Sequence, residues 1–185
     1  MVRIVGGRYR GKQLSVPKGD KVRPTTDRVR EALFNILDHR FDQPYLSARV
    51  LDLFAGAGTL GLESLSRGAS HVCFVEKDGT NAANLRKNLR GIAGDAQVIE
   101  KDVTRVLRDA CKIPYELVFM DPPYADGLLQ PCLDALAAKS WLSPQGLVCV
   151  EQPSGHPVLE SVAFKELFSR RYGRTTISVL SLRSD

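Results

Sequence analysis

With 185 residues, 43% of them hydrophobic and 25% charged, the chain has the size and make-up of one globular domain, which excludes a disordered, collagen-like or fibrous protein. No run of about 18 apolar residues occurs and the start, Met1 to Gly7, lacks a long apolar secretory segment, so a cytoplasmic protein with no membrane partner is expected. The net charge of +5 is uneven: residues 1–30 hold nine basic side chains against two acidic ones, a net +7, and the rest of the chain is at −2.

A localised positive field attracts a polyphosphate backbone. Glycines and turns break this segment, so a membrane-binding amphipathic helix is disfavoured. Arg3 to Val16 reads as short extended pieces around Gly6-Gly7 and Gly11, a hairpin, followed by a turn at Pro17-Lys18-Gly19-Asp20. Val29, Ala32, Leu33, Ile36 and Leu37 then recur at helical spacing over Arg28–Asp38, with Thr26 or Asp27 as N-cap and Arg28 and Arg30 on the outer face.

From residue 49 apolar runs alternate with helical segments. The runs are Val50–Phe54, His71–Val75, Ala96–Ile99, Glu116–Met120 and Gly146–Val150. The helices between them end near Arg67, span Asn81–Arg90, Val103–Cys111 and Leu128–Ala138, and include a last one at Ser161–Phe168. Thr175–Leu182 alternates like a final strand, one that can run antiparallel. Buried strands separated by helices predict an α/β fold with a doubly wound, mostly parallel sheet. Residues 1–45 form a small hairpin-and-helix extension on a domain of residues 46–185 in this reading. Cys73, Cys111, Cys132 and Cys149 are scattered and read as small buried thiols, with no metal site. His39, His71 and His156 are isolated.

Two motifs carry chemistry. The first, Val50-Leu51-Asp52-Leu53-Phe54-Ala55-Gly56-Ala57-Gly58-Thr59-Leu60-Gly61, is a strand, a Gly-x-Gly-x-x-Gly turn and a helix start, and Glu76 ends the next strand 20 residues after Gly56. This arrangement suits a nucleoside-type cofactor, with the acid on ribose hydroxyls. Asp52 would repel a pyrophosphate over the turn but favour the ammonium and sulfonium of S-adenosylmethionine. Asp102 could accept from an adenine amino group or cap the following helix. A cap or turn acid is the minor alternative for Asp52.

The second motif is Asp121-Pro122-Pro123-Tyr124 at the carboxyl end of a central strand. Two prolines stiffen the corner. The Asp121 carboxylate and Pro122 carbonyl can accept from the two hydrogens of an exocyclic amine and stabilise the charge that develops on it. Tyr124 offers a face for a flipped base.

These motifs resemble those of the S-adenosylmethionine-dependent amino-methyltransferases with a Rossmann-like class I fold. The string Arg23-Pro24-Thr25-Thr26-Asp27-Arg28-Val29-Arg30-Glu31-Ala32-Leu33-Phe34-Asn35-Ile36-Leu37, with Arg3-Ile4-Val5-Gly6-Gly7 and Arg10-Gly11, is similar to the bacterial 16S rRNA guanine-N2 methyltransferases of the guanine-966 type, over about residues 3–180. The resemblance implies that Asp52, Phe54, Ala55, Gly56, Gly58, Glu76, Lys77, Asp102 and Val103 bind S-adenosylmethionine without any metal. It implies that Asp121, Pro122, Pro123 and Tyr124 hold the guanine amino group. Arg8, Arg10, Lys12, Arg23, Thr25, Arg28 and Arg30 would grip 16S rRNA in a small-subunit particle, with the protein acting as a monomer. A DNA adenine-N6 methyltransferase and a non-catalytic RNA-binding assembly factor are the rival readings.

Overall fold

The computed structural model of the chain describes residues 2–16, 27–123, 127–155 and 161–183. Its first elements are β1 (Val2–Arg3) and β2 (Gln13–Leu14), an antiparallel pair, and the helix α1 (Asp27–Arg40). The alternating part follows: β3 (Arg49–Leu53), α2 (Thr59–Ser66), β4 (His71–Glu76), α3 (Gly79–Asn88), β5 (Asp95–Glu100), α4 (Val103–Val106), β6 (Tyr115–Met120) and α5 (Leu129–Ala138). The chain then runs through three strands, β7 (Leu142–Pro153), β8 (Phe164–Tyr172) and β9 (Thr175–Leu182).

Seven strands form one sheet in the order β5-β4-β3-β6-β7-β9-β8. The first five are parallel, and β9 runs antiparallel between β7 and β8. The central strands are buried on both faces, which is why they read as apolar runs, interrupted in β3 by Asp52. Successive side chains point to opposite faces. Val50, Phe74, Phe119 and Cys149 pack beneath α1, α2 and α3, while Leu51, Val75, Val118 and Val150 pack against α4 and α5. Ile4 and Leu14 of the hairpin and Leu33, Phe34 and Leu37 of α1 lie in the first of these cores, continuous with the sheet. Cys73, Cys132 and Cys149 are buried free thiols, and burial raises the pKa of each.

Two expected elements differ. Ser161–Phe168 was expected to be helical, but Phe164–Tyr172 is the edge strand β8. Phe164, Leu167 and Phe168 imitate helical spacing because a register shift between Glu166 and Phe168 breaks the strand's alternation. The helix expected over Val103–Cys111 closes after Val106. The turn expected at Pro17–Asp20 lies outside the described residues.

The strand order reverses between β3 and β6: the chain leaves β3 for β4 and β5 on one side, then returns to β6 on the other. In open α/β sheets, ligands bind outside the carboxyl ends of the strands at such a point. Both sequence motifs lie there. Among the described residues no helix is long and apolar enough to cross a membrane.

Candidate active site

The loop after β3 is set by backbone conformations that few residues adopt. Gly56 and Gly58 have φ of 53° and 77°, and Phe54 sits at 63°. A non-glycine residue there costs on the order of 1 kcal/mol and is held in place by its surroundings. Phe54 packs against the core under α4 and α5. Gly58 caps α2 without a side chain, and a Cβ on it would come within 2.2 Å of Leu85 Cδ1. Gly56 is different: a Cβ there would meet nothing within 4 Å. The loop is therefore packed below and open above Gly56, as a close backbone approach to a ligand requires.

Two acids bond the loop and the helix start after it, and a third, Asp102, follows β5 two strands away. Asp52 is almost fully buried and accepts from Gly61 N at 2.9 Å, serving the N-terminus of α2 that Gly58 leaves without a side-chain cap. Burial pushes its carboxyl up to about 8; the Gly61 bond opposes the rise, and the neighbouring Asp121 and Glu76 carboxylates add to it. Glu76 accepts from Gly56 N and from Asp78 N, both at 2.7 Å, one through each oxygen. Each oxygen keeps a second lone pair for a ligand hydroxyl. Asp102 caps α4, taking the backbone N–H of Thr104 at 2.9 Å as well as the Thr104 hydroxyl, and that hydroxyl holds its pKa below the usual carboxylate range. Beyond Glu76 an open depression of about 510 Å³ is lined by Lys77, Glu100, Lys101, Asp102 and Arg105. Val103 is buried in the core that holds Leu51 and Val75.

Asp121 follows β6 directly, and Leu53 of β3 pairs with Met120, so the second motif leaves the sheet beside the first. Asp121 is half-buried, Pro122 buried and Pro123 exposed. Tyr124 lies outside the described residues, as do Arg23 and Thr25.

Of the basic residues expected at an RNA surface, Arg8, Arg10 and Arg28 are exposed. Arg8 lies over the Tyr9 ring at 5.8 Å. Lys12 is half-buried, its ammonium donating to the Arg90 carbonyl. Arg30 contradicts the expectation of an outward side chain. It is fully buried, bonded to Asp27 at 2.8 Å and to the Arg3 carbonyl, with Nε 3.7 Å from Glu63 Oε2. A buried guanidinium needs such partners and is not available to a phosphate.

Sequence patterning missed the polar residues that dock the hairpin. Glu63, fully buried, accepts from Val5 N at 2.8 Å and pairs with Arg67 at 2.8 Å. Ser66 joins Gly6 and Tyr9, and Asn88 joins Ser15 and the Ala57 carbonyl of the glycine loop. The only signal was spacing: Glu63, Ser66 and Arg67 share one face of α2 with leucines, and Asn84 and Asn88 share one of α3. His71 pairs with Asp95 at the start of β4, at the far end of the sheet from the loop.

Comparison with known proteins agrees with this architecture. The family model described as conserved hypothetical protein 95 matches residues 2–181. Ribosomal RNA small subunit methyltransferase D of Escherichia coli is 42% identical over 151 residues, covering 81% of this chain and 74% of that protein. The chain belongs to this methyltransferase family. A second member, ribosomal RNA small subunit methyltransferase D of Haemophilus influenzae, is 39% identical over 163 residues, covering 85% of this chain and 82% of that protein. The solved structure of YhhF from Escherichia coli superposes with a TM-score of 0.86 at 34% identity, covering 100% of this chain and 99% of that one.

Proposed function

We propose that this chain transfers a methyl group from S-adenosylmethionine to the exocyclic N2 of a guanine in 16S rRNA, acting as a cytoplasmic monomer on a small-subunit particle. The observation that carries the reading is the adjacency of Asp121 to the Asp52–Glu76 carboxylate cluster at the reversal between β3 and β6. The names of the family's members supply the RNA.

The site suits the donor. Asp52, Phe54, Ala55, Gly56 and Gly58 would hold its methionine end, Glu76 its ribose, and Lys77, Asp102 and Val103 its adenine. The open face of Gly56 leaves room for a close ligand, and a cationic one with no phosphate would favour the ionised form of the buried Asp52 carboxyl. When bound, S-adenosylmethionine supplies an electrophilic methyl group. The rest is done by protein groups. The Asp121 carboxylate and the Pro122 carbonyl each accept one amine hydrogen, so the nitrogen lone pair withdraws from the purine and the positive charge gained on C–N bond formation is met by fixed acceptors. The methylated nitrogen is acidic and gives its extra proton to water, so no strong base is required. Pro123 and Tyr124 shape the corner and stack the base. Residues 1–45 form the RNA-gripping extension, with Arg8, Arg10, Lys12, Arg23, Thr25 and Arg28 as contacts.

Incubation with methyl-labelled S-adenosylmethionine and small-subunit particles lacking the modification tests the reading. Label should appear on the N2 of a single guanine after nucleoside analysis. Label on adenine or on duplex DNA, or no label on RNA, would overturn it.

A further inference from the structure

The opposite flank of the sheet carries a second basic cluster. Residues 161–183 hold Lys165, Arg170, Arg171, Arg174 and Arg183 against one acid, Glu166, a net +4. Glu166 is engaged by the Ser178 hydroxyl at 3.1 Å. Arg170, Arg171 and Arg174 fall within five residues at the β8–β9 turn, and all three are exposed. None of the three forms an ion pair among the described residues.

Register fixes where this cluster stands. Met120 pairs with Val150, Val150 with Ser178, and Ser178 with Ser169. Ser169 is thus level with the residue before Asp121, and β8 runs in the same direction as β6. Arg170 and Arg171 project beyond that level, at the carboxyl end of the sheet that holds the methyl-transfer corner. Three strand spacings separate β6 from β8, about 14 Å. The N-terminal hairpin is anchored differently: Arg8 N donates to the carbonyl of Ser66, at the end of α2 that leads toward the start of β4. Arg8 and Arg10 therefore start from the far end of the sheet, whereas the β8–β9 turn shares an end with Asp121.

The turn is also ordered in advance. Arg171 Nε donates to the Gly173 carbonyl at 2.7 Å, Arg170 lies 5.5 Å over the Tyr172 ring, and Ser154 N ties the Arg174 carbonyl to the end of β7 at 2.9 Å. Guanidiniums held so lose less freedom on meeting an anion.

We propose that Arg170, Arg171 and Arg174 form a phosphate-binding rim that holds the RNA strand on the β8 side of the methyl-transfer corner. The proposal rests on the RNA reading of that site. The rim takes backbone phosphates of nucleotides flanking the target, carries no base readout, and sets affinity and its salt dependence.

The test compares the parent protein with R170Q/R171Q/R174Q and R170K/R171K/R174K, measuring binding to 16S rRNA across salt concentrations together with S-adenosylmethionine binding. The glutamine variant should flatten the log–log salt slope by about 2 and weaken binding at least tenfold at low salt. The lysine variant should keep the slope, and both should bind S-adenosylmethionine like the parent. If the parent methylates the RNA but the glutamine variant binds it with unchanged slope and affinity, the rim is overturned and the function stands. If the parent methylates no RNA, the function falls and takes the rim with it.

Discussion

Arg30 of α1 and Glu63 of α2 face each other out of reach of solvent, Nε 3.7 Å from Oε2, and the same carboxylate binds Arg67 and the Val5 N–H. A fully buried acid shared by two guanidiniums and a backbone amide joins the hairpin, α1 and α2. Removing one member leaves the others desolvated, so Glu63→Ala should lower stability by about 3 kcal/mol or more. Urea unfolding would check this, and a loss below about 1 kcal/mol would contradict the shared role.

Gly56 and Gly58 should respond in opposite ways. Gly58→Ala adds a strained φ to a clash with Leu85 and should cost about 2–4 kcal/mol. Gly56→Ala meets no atom, so strain of about 1 kcal/mol is the whole stability cost. Its methyl group projects into the space assigned to the cofactor, and S-adenosylmethionine affinity should fall at least tenfold, a difference of about 1.4 kcal/mol. Thermal melts and calorimetric titration separate the two effects. A Gly56→Ala protein with parental affinity would remove the cofactor from above this loop.

The Asp52 carboxyl, pushed up to about 8 from an ordinary 3.8, makes folding depend on pH. Between those values the unfolded chain has released the proton that the folded chain keeps. This group therefore makes stability fall as pH rises, by roughly 1.4 kcal/mol per unit across the window. Asp52→Asn removes that slope. Denaturant unfolding of both proteins at pH 5, 6, 7 and 9 should show the parent losing stability relative to the variant up to about pH 8 and levelling beyond it. Parallel profiles would contradict the buried, raised carboxyl.

Asp121→Ala should lower kcat by roughly 10²–10³-fold, the cost of one acceptor aimed at developing charge. S-adenosylmethionine should bind within about threefold of the parent, under 1 kcal/mol. Because Asp121 contributes to the rise at Asp52, the same variant should shift the pH–stability profile toward acid. Loss of cofactor binding in step with turnover would move Asp121 from the amine to the donor.

Much of this was legible in the chain because the physics was local. Apolar runs marked β3, β4 and β6, since strands covered on both faces carry apolar residues at successive positions, and the acid interrupting β3 at Asp52 stood out against that background. The glycine loop and the Asp121 corner announced themselves through residues whose backbone restrictions act at their own positions. Arg30 and β8 were misread for the opposite reason. Nothing near Arg30 in sequence shows that Glu63 waits 33 residues away, and a charged side chain read alone is placed outside. β8 is an edge strand whose register shift erases its period. Glu63, Ser66 and Asn88 matter only through partners on the hairpin, contacts that appear once the chain has closed on itself.

The docking of the hairpin changes how the N-terminus can be studied. Gly6 and Gly7 lie where a Cβ would strike Arg67 and Ser66, and Ile4 and Leu14 sit inside the main core. The first fifteen residues are a buttress as much as a handle. A truncation made to abolish RNA capture would also strip the cover from Glu63 and Asn88, and the resulting inactivity would report a collapsed scaffold. Point changes at Arg8 and Arg10, whose side chains stand clear of the seam, ask the question cleanly.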